Sequence, residues 1–206
     1  MTNQQQEPMN LFELVLLSAL WMLFGFMLWY YLSAWHGVPV RVVSDQILAG
    51  IIGEPFLNII PNPDQHYLLQ VQTRILFDFP DGTREPLGFI VNPLVYGWGL
   101  PLLFGLTMAA NAALWRKLLT LAIGYSVILL VQIWGVVWNS LMMLSFNFGP
   151  DVSAVVAESG IPQEAIALCY QLGTLIFPAL APVIIWVLAN WEEVERYMGH
   201  ESRTSR

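Results

Sequence analysis

Four stretches of this chain, 11–33, 93–114, 118–143 and 165–191, are apolar throughout, and Glu13 is the only charged side chain among them. Each is long enough to cross a bilayer, which takes roughly 20 apolar residues. Lipid offers no water to unpaired backbone groups, so such runs are confined to helices. Only 11% of the 206 residues are charged, against about a quarter in a soluble domain. The pattern predicts a membrane α-helical protein, a four-span helical bundle. The first run, from Leu11 to Ser33, is too long for the core of a cleaved secretory signal and reads as an uncleaved span. Glu13 falls in its first turn, where a carboxylate suits the helix dipole. Trp29, Tyr30 and Tyr31 form an aromatic belt at its far end.

Between the first and second runs the composition changes. In 34–63, Val43, Ile47 and Ile51 share one helical face, with Leu48, Ile52 and Phe56 beside them. Arg41, Asp45 and Glu54 interrupt the apolar character, and Pro55, Pro61 and Pro63 break the segment. One or two amphipathic helices lying on the membrane surface are expected there. From 64 to 91 the period is two: Tyr67, Leu69, Val71, Thr73, Ile75, Phe77 and Phe79 alternate with mostly polar residues. Pro80-Asp81-Gly82-Thr83 reads as a turn, with Leu87, Phe89 and Val91 on one face of a return strand. Pro86 marks that strand as an edge. A two-stranded hairpin is marginal alone, so it must pack on something. Arg74, Asp81 and Arg84 could make it a docking surface.

The expected organisation is therefore an N-terminus and first span over 1–33, an extracytoplasmic α+β segment with a β-hairpin over 34–92, and a transmembrane hairpin over 93–143. A loop over 144–164, a fourth span over 165–191 and a charged tail over 192–206 complete it. Arg116 and Lys117 crowd a short link, and Arg196, Arg203 and Arg206 follow the last span. The positive-inside rule puts both groups, and so both termini, in the cytoplasm.

The second span begins at Asn92-Pro93, a helix-start signal because proline loses no hydrogen bond in the first turn. Gly97, Pro101, Gly105, Ala109 and Ala113 follow at intervals of four, a row of small residues against which another helix can lie closely. Tyr96 and Trp98 are aromatics suited to a membrane–water interface and to a partner there. Asn92, Pro93, Tyr96, Gly97, Trp98, Pro101 and Gly105 are the candidate helix-packing or partner-binding residues. Gln132, Gly135 and Asn139 share a face of the third span. Ala165, Cys169 and Gly173 form a second small-residue stripe, and Pro178 and Pro182 should bend the fourth span.

The chemistry on offer is sparse. One cysteine, Cys169, excludes an internal disulfide and a cysteine cluster, and His36, His66 and His200 fit no metal-binding spacing. No catalytic, cofactor-binding or metal-ligating residue is assigned, and no basic patch points to nucleic acid. A membrane-embedded cysteine enzyme using Cys169 is one alternative, although a thiolate needs a base or cation beside it. A small-solute transporter subunit is another, although carriers place charged groups inside their spans.

The run Val91-Asn92-Pro93-Leu94-Val95-Tyr96-Gly97-Trp98-Gly99-Leu100-Pro101-Leu102-Leu103 resembles the exosortase H-associated membrane proteins of Gram-negative bacteria. The likeness extends to Tyr170-Gln171-Leu172-Gly173, to Phe177-Pro178-Ala179-Leu180-Ala181-Pro182-Val183 and to Trp186. It implies a multi-pass protein of the bacterial inner membrane. Its expected role is that of a non-enzymatic accessory to an exosortase-type cysteine peptidase or transpeptidase, which sorts secreted proteins bearing a C-terminal signal. The expected partners are that enzyme and the lipid bilayer. The enzymes of that system pair a cysteine with arginine and histidine inside their spans. The expected spans here hold neither, so no catalytic residue carries over.

Overall fold

In the computed structural model, residues 11–80, 82–191 and 194–195 are described. Helix α1 (Leu11–Tyr31) passes, through one non-helical residue at Leu32, into α2 (Ser33–Ile52). α2 ends at Gly53, whose φ of +72° is readily adopted only without a Cβ. Three strands follow: β1 (Phe56–Pro61), β2 (Leu69–Asp78) and β3 (Arg84–Val91). They form one antiparallel sheet in the order β1-β2-β3.

The segment 34–63 is thus helix and then strand, and the expected hairpin is two-thirds of a three-stranded sheet. β1 escapes the period-two signal because its register slips between Phe56 and Asn58, so that Phe56 and Ile59 both turn inward. Nor does α2 lie alone on a membrane surface. Val40, Ser44, Leu48 and Ile52, each four apart, are buried against the sheet and the later helices. The expected Val43 and Ile47 face is instead partly exposed. The charged residues that interrupt α2 reach β1. Asp45 Oδ1 accepts a hydrogen bond from the Ile59 N–H at 2.6 Å, and Arg41 Nη1 donates to the Ile59 carbonyl at 3.2 Å. An edge strand leaves a row of such groups unpaired, and α2 covers this one. β3 forms the other edge and carries Pro86. In the turn, Arg84 forms an exposed ion pair with Asp78 at 3.6 Å, and Arg74 Nη1 donates to the Glu54 carbonyl.

The next elements are α3 (Leu94–Gly97), α4 (Gly99–Ala109) and the long α5 (Leu114–Phe146). Pro101 has no N–H for the Gly97 carbonyl and its ring crowds that carbonyl. The helix accordingly breaks at Trp98. The expected span over 93–114 becomes the 94–109 helix, shorter than expected, because Ala110 and Ala113 are extended and lead into α5. Arg116 and Lys117 belong to the first turn of α5 rather than to the link. The expected loop over 144–164 contains α6 (Pro150–Ala157). The expected last span is α7 (Gln163–Gln171), a π-turn at Leu172–Ile176 and α8 (Phe177–Ala189). Pro178 cannot donate to the carbonyl of Thr174, and the wider turn lies immediately before it. The Phe177 N–H donates five residues back, to Leu172.

Among the described residues, three helices are long and apolar enough to cross a membrane: Phe12–Tyr31, Leu114–Phe146 and Gln163–Ala189. Two cores hold the elements together. One joins the inner face of the sheet (Leu69, Val71, Leu87, Phe89, Val91) to α2, to the second half of α5 and to α6. The other joins Leu14, Leu103, Ile128 and Trp186 of α1, α4, α5 and α8. The first ten residues, Asp81 and all of the expected tail except Val194 and Glu195 lie outside the described residues.

Replacing Asp45 with alanine leaves the Ile59 N–H without its charged acceptor, a loss of about 1.5–3 kcal/mol. The expected outcome is a lower Tm in detergent and faster amide exchange at Ile59 than in the unaltered chain. Unchanged exchange at Ile59 would remove α2 as the cover of that edge.

Candidate functional site

The segment from Asn92 to Gly105 meets three other helices. Asn92 Oδ1 accepts from the Leu94 N–H at 3.0 Å and so caps the first turn of α3. One residue on, the Pro93 carbonyl accepts a hydrogen bond from Gln132 Nε2 of α5 at 3.1 Å. Gln132 is only 2% exposed, so this amide is satisfied inside an apolar interior where an unpaired one would be costly. Gly97 lies against the Gln132 side chain, and a Cβ there would overlap its amide. The Tyr96 ring covers Gly135 on the same face of α5.

The small-residue row does not face one neighbour. Pro101 lies against Gly25 of α1, with its Cα 3.4 Å from the position of a Gly25 Cβ. Gly105 is set against the α1 backbone, where a Cβ would come 2.5 Å from the Ser18 carbonyl oxygen and 2.9 Å from Met22 Cβ. Gly99 faces α8, at the Pro178 carbonyl and the Pro182 ring. Ala113 lies beyond the end of α4 and extends nothing. The row divides between α5, met by Gly97, and α1, met by Pro101 and Gly105, while Gly99, outside the row, meets α8. α4 runs antiparallel to α1 and α5: Gly105 meets Ser18 while Pro101 meets Gly25, and Leu103 meets Gly124 while Gly97 meets Gln132.

Tyr96 is turned inward and is 4% exposed, so it is not available to a partner in this conformation. Trp98 is half-buried. The other resembling stretches come to the same place. Gly173 lies under the Trp134 ring, and Pro178 and Pro182 receive Gly99. Trp186 Nε1 donates to the Leu106 carbonyl at 3.0 Å, which ties α8 to α4. Composition and spacing did not single out Gly99, Gly124 or Trp134. Each depends on a neighbour far off in the chain, and no local period marks it.

Cys169 sits on α7, partly exposed, and its carbonyl accepts from Trp134 Nε1 at 2.9 Å. His66 lies in the β1–β2 connection and His36 on α2, so both lie on other elements. Among the described residues no group of three His, Cys, Asp or Glu side chains could hold a metal ion.

One buried titratable group stands out. His36 is 8% exposed and stacks on Trp29 with centroids 6.2 Å apart. It lines a cavity of about 430 Å³ together with Gly25, Trp29, Trp35, Phe104 and Tyr125. Burial holds its imidazole below the ordinary value of 6.5. As pH falls below 6.5, the unfolded chain takes up a proton that the folded chain resists, so stability falls.

Two outcomes are expected. Gly105→Leu should separate α1 from α4 and lower Tm or abolish assembly, whereas Gly50→Leu, at a position with open space around it, should do neither. Equal effects would refute the close α1–α4 contact. Acidification from about pH 7 to about pH 5 should lower the Tm of the chain more than that of His36→Leu; identical acid profiles would sink this role for His36.

In comparisons with known proteins, the family model described as "Exosortase H-associated membrane protein" matches residues 8–193. No curated protein and no solved structure matches the chain. The match takes in α1 through α8 and the whole sheet, including the convergence of α1, α4, α5 and α8. On that extent of agreement, the chain belongs to the exosortase H-associated membrane protein family.

Proposed function

We propose that this chain is a non-enzymatic accessory protein of the bacterial inner membrane that associates with an exosortase-type cysteine peptidase or transpeptidase. In that role it serves the sorting of secreted proteins bearing a C-terminal signal. The family match over residues 8–193 carries the reading. What the chain does with its polar groups supports it. Gln132, Trp134 and Trp186 are spent on holding helices together, and Asn92 on capping the start of α3.

The proposal includes a four-pass topology. The helix over 94–109 is about 24 Å long at 1.5 Å per residue, and a short link with Ala110 and Ala113 extended joins it to α5. It lies between two helices of opposite direction to its own, the arrangement a crossing there would require. Arg116 and Lys117 then mark the cytoplasmic end. The sheet and α2 stand on the extracytoplasmic side, and both termini are cytoplasmic. The residues from Asn92 to Gly105 act by setting how α1, α5 and α8 meet, and so the surface offered to the enzyme.

The deciding experiment is to purify a tagged copy in mild detergent from its native membranes and identify what accompanies it by mass spectrometry. A polytopic cysteine peptidase in near-equal amount is the expected result. Recovery of the chain alone, or of peptidase activity from the chain alone that is lost in Cys169→Ser, would overturn the accessory reading.

A further inference from the structure

We propose that the groove between the start of α5 and the end of α8 binds an anionic phospholipid, with the lipid phosphate on Arg116 and one acyl chain along the groove. The groove has a volume of about 460 Å³, with Trp115, Arg116, Leu119 and Ile123 on one side and Ile185, Leu188 and Ala189 on the other. Arg116, Leu119 and Ile123 are spaced three and four apart, so they follow one another along a single face of α5. Ile185 and Leu188 form the opposite wall on α8. These walls are apolar yet uncovered: Leu119 and Ile123 are each 51% exposed and Leu188 is 69% exposed. They belong to two helices long and apolar enough to cross a membrane, so the medium that fills the groove is hydrocarbon.

The mouth of the groove defines the ligand's charge. Arg116 forms no ion pair among the described residues. It stands in the first turn of a 33-residue helix, where the dipole is positive and a cation is disfavoured. Its neighbour Lys117 adds a second positive charge, and that ammonium is already directed to the Met108 carbonyl at 2.9 Å. The guanidinium is therefore the cation left to meet an anion, and its planar fork matches a phosphate diester. Trp115, 65% exposed beside it, is the residue type that settles at headgroup level. A phosphate at that level continues directly into an acyl chain beside Leu119 and Ile123. A lipid whose headgroup carries no cation is preferred, because it adds no positive charge where three positive contributions already meet. This site lies at the opposite end of α5 from the sheet-bearing core, and the inference does not depend on the accessory role.

The test is native mass spectrometry of the full chain, released from detergent containing equimolar phosphatidylglycerol and phosphatidylcholine. The unaltered chain should retain phosphatidylglycerol at least fivefold more than phosphatidylcholine. Arg116→Gln should reduce that retention at least fivefold, and Lys117→Gln should leave most of it. Ala189→Trp, which fills the groove from α8 while leaving Arg116 in place, should also displace the lipid. Equal retention of the two lipids by the unaltered chain would overturn the proposal, and this comparison stands even if a variant fails to fold. Undiminished phosphatidylglycerol on folded Arg116→Gln or on folded Ala189→Trp would overturn it as well.

Discussion

The hydrogen bond from Gln132 to the Pro93 carbonyl fixes how this chain is put together. It joins residues 39 positions apart, and the Pro93 carbonyl accepts from the Tyr96 N–H as well as from Gln132. It holds the start of α3 against the middle of α5 at a set depth. That depth places Tyr96 over Gly135 and Gly97 beneath the Gln132 side chain. With α3 pinned, α4 follows after Trp98 and meets α1 through Pro101 and Gly105 and α8 through Gly99. Helices that assemble among apolar surroundings gain little from hydrophobic exclusion and rely on close backbone approach and on satisfied polar groups. Both devices operate at this one place: Gly99 and Gly105 supply the approach, and Gln132 and Trp186 supply the hydrogen bonds.

The sheet is held by a different physics. It has one buried face, filled by Leu69, Val71, Leu87, Phe89 and Val91, and it shares a core with α2, α5 and α6. Its first edge is closed by the side chains of Arg41 and Asp45, which meet the carbonyl and the N–H of a single residue, Ile59. The charges that made α2 read as a surface helix are therefore part of the sheet's hydrogen bonding. α5 is long enough to serve both regions: its second half packs under the sheet, and its first half lines the α4 and α8 contacts. Tyr96 of α3 and Val136 of α5 lie in the same core as the inner face of the sheet.

Family membership and geometry bear on the same residues. The stretches that resemble the exosortase H-associated proteins are far apart in the chain, at 91–103, 170–173 and 177–186. Gly99 meets Pro178 and Pro182, Gly173 lies under Trp134, and Trp186 bonds to Leu106. Gly99 thus meets its partners within these stretches, while Gly173 and Trp186 meet Trp134 and Leu106 outside them; these are close packing contacts and an interhelical hydrogen bond, which suit glycine, proline and aromatic residues.

The sequence by itself determined the apolar helices, the β2–β3 pairing and the helix start at Asn92. Hydrophobic length, period two and the Asn-Pro signal are local properties that a neighbour does not change. It also exposed the small-residue row, but not its partners. Tertiary structure decided that Gly97 serves α5 while Pro101 and Gly105 serve α1, because Gln132 lies against the first and the α1 backbone against the others. It decided that Tyr96 is buried, since Gly135 leaves room for its ring. It also decided that 56–61 is a strand, because a register slip hides its period and the acceptor for Ile59 lies 14 residues earlier, on α2. These outcomes depend on the distance and direction between elements, which no spacing along the chain encodes.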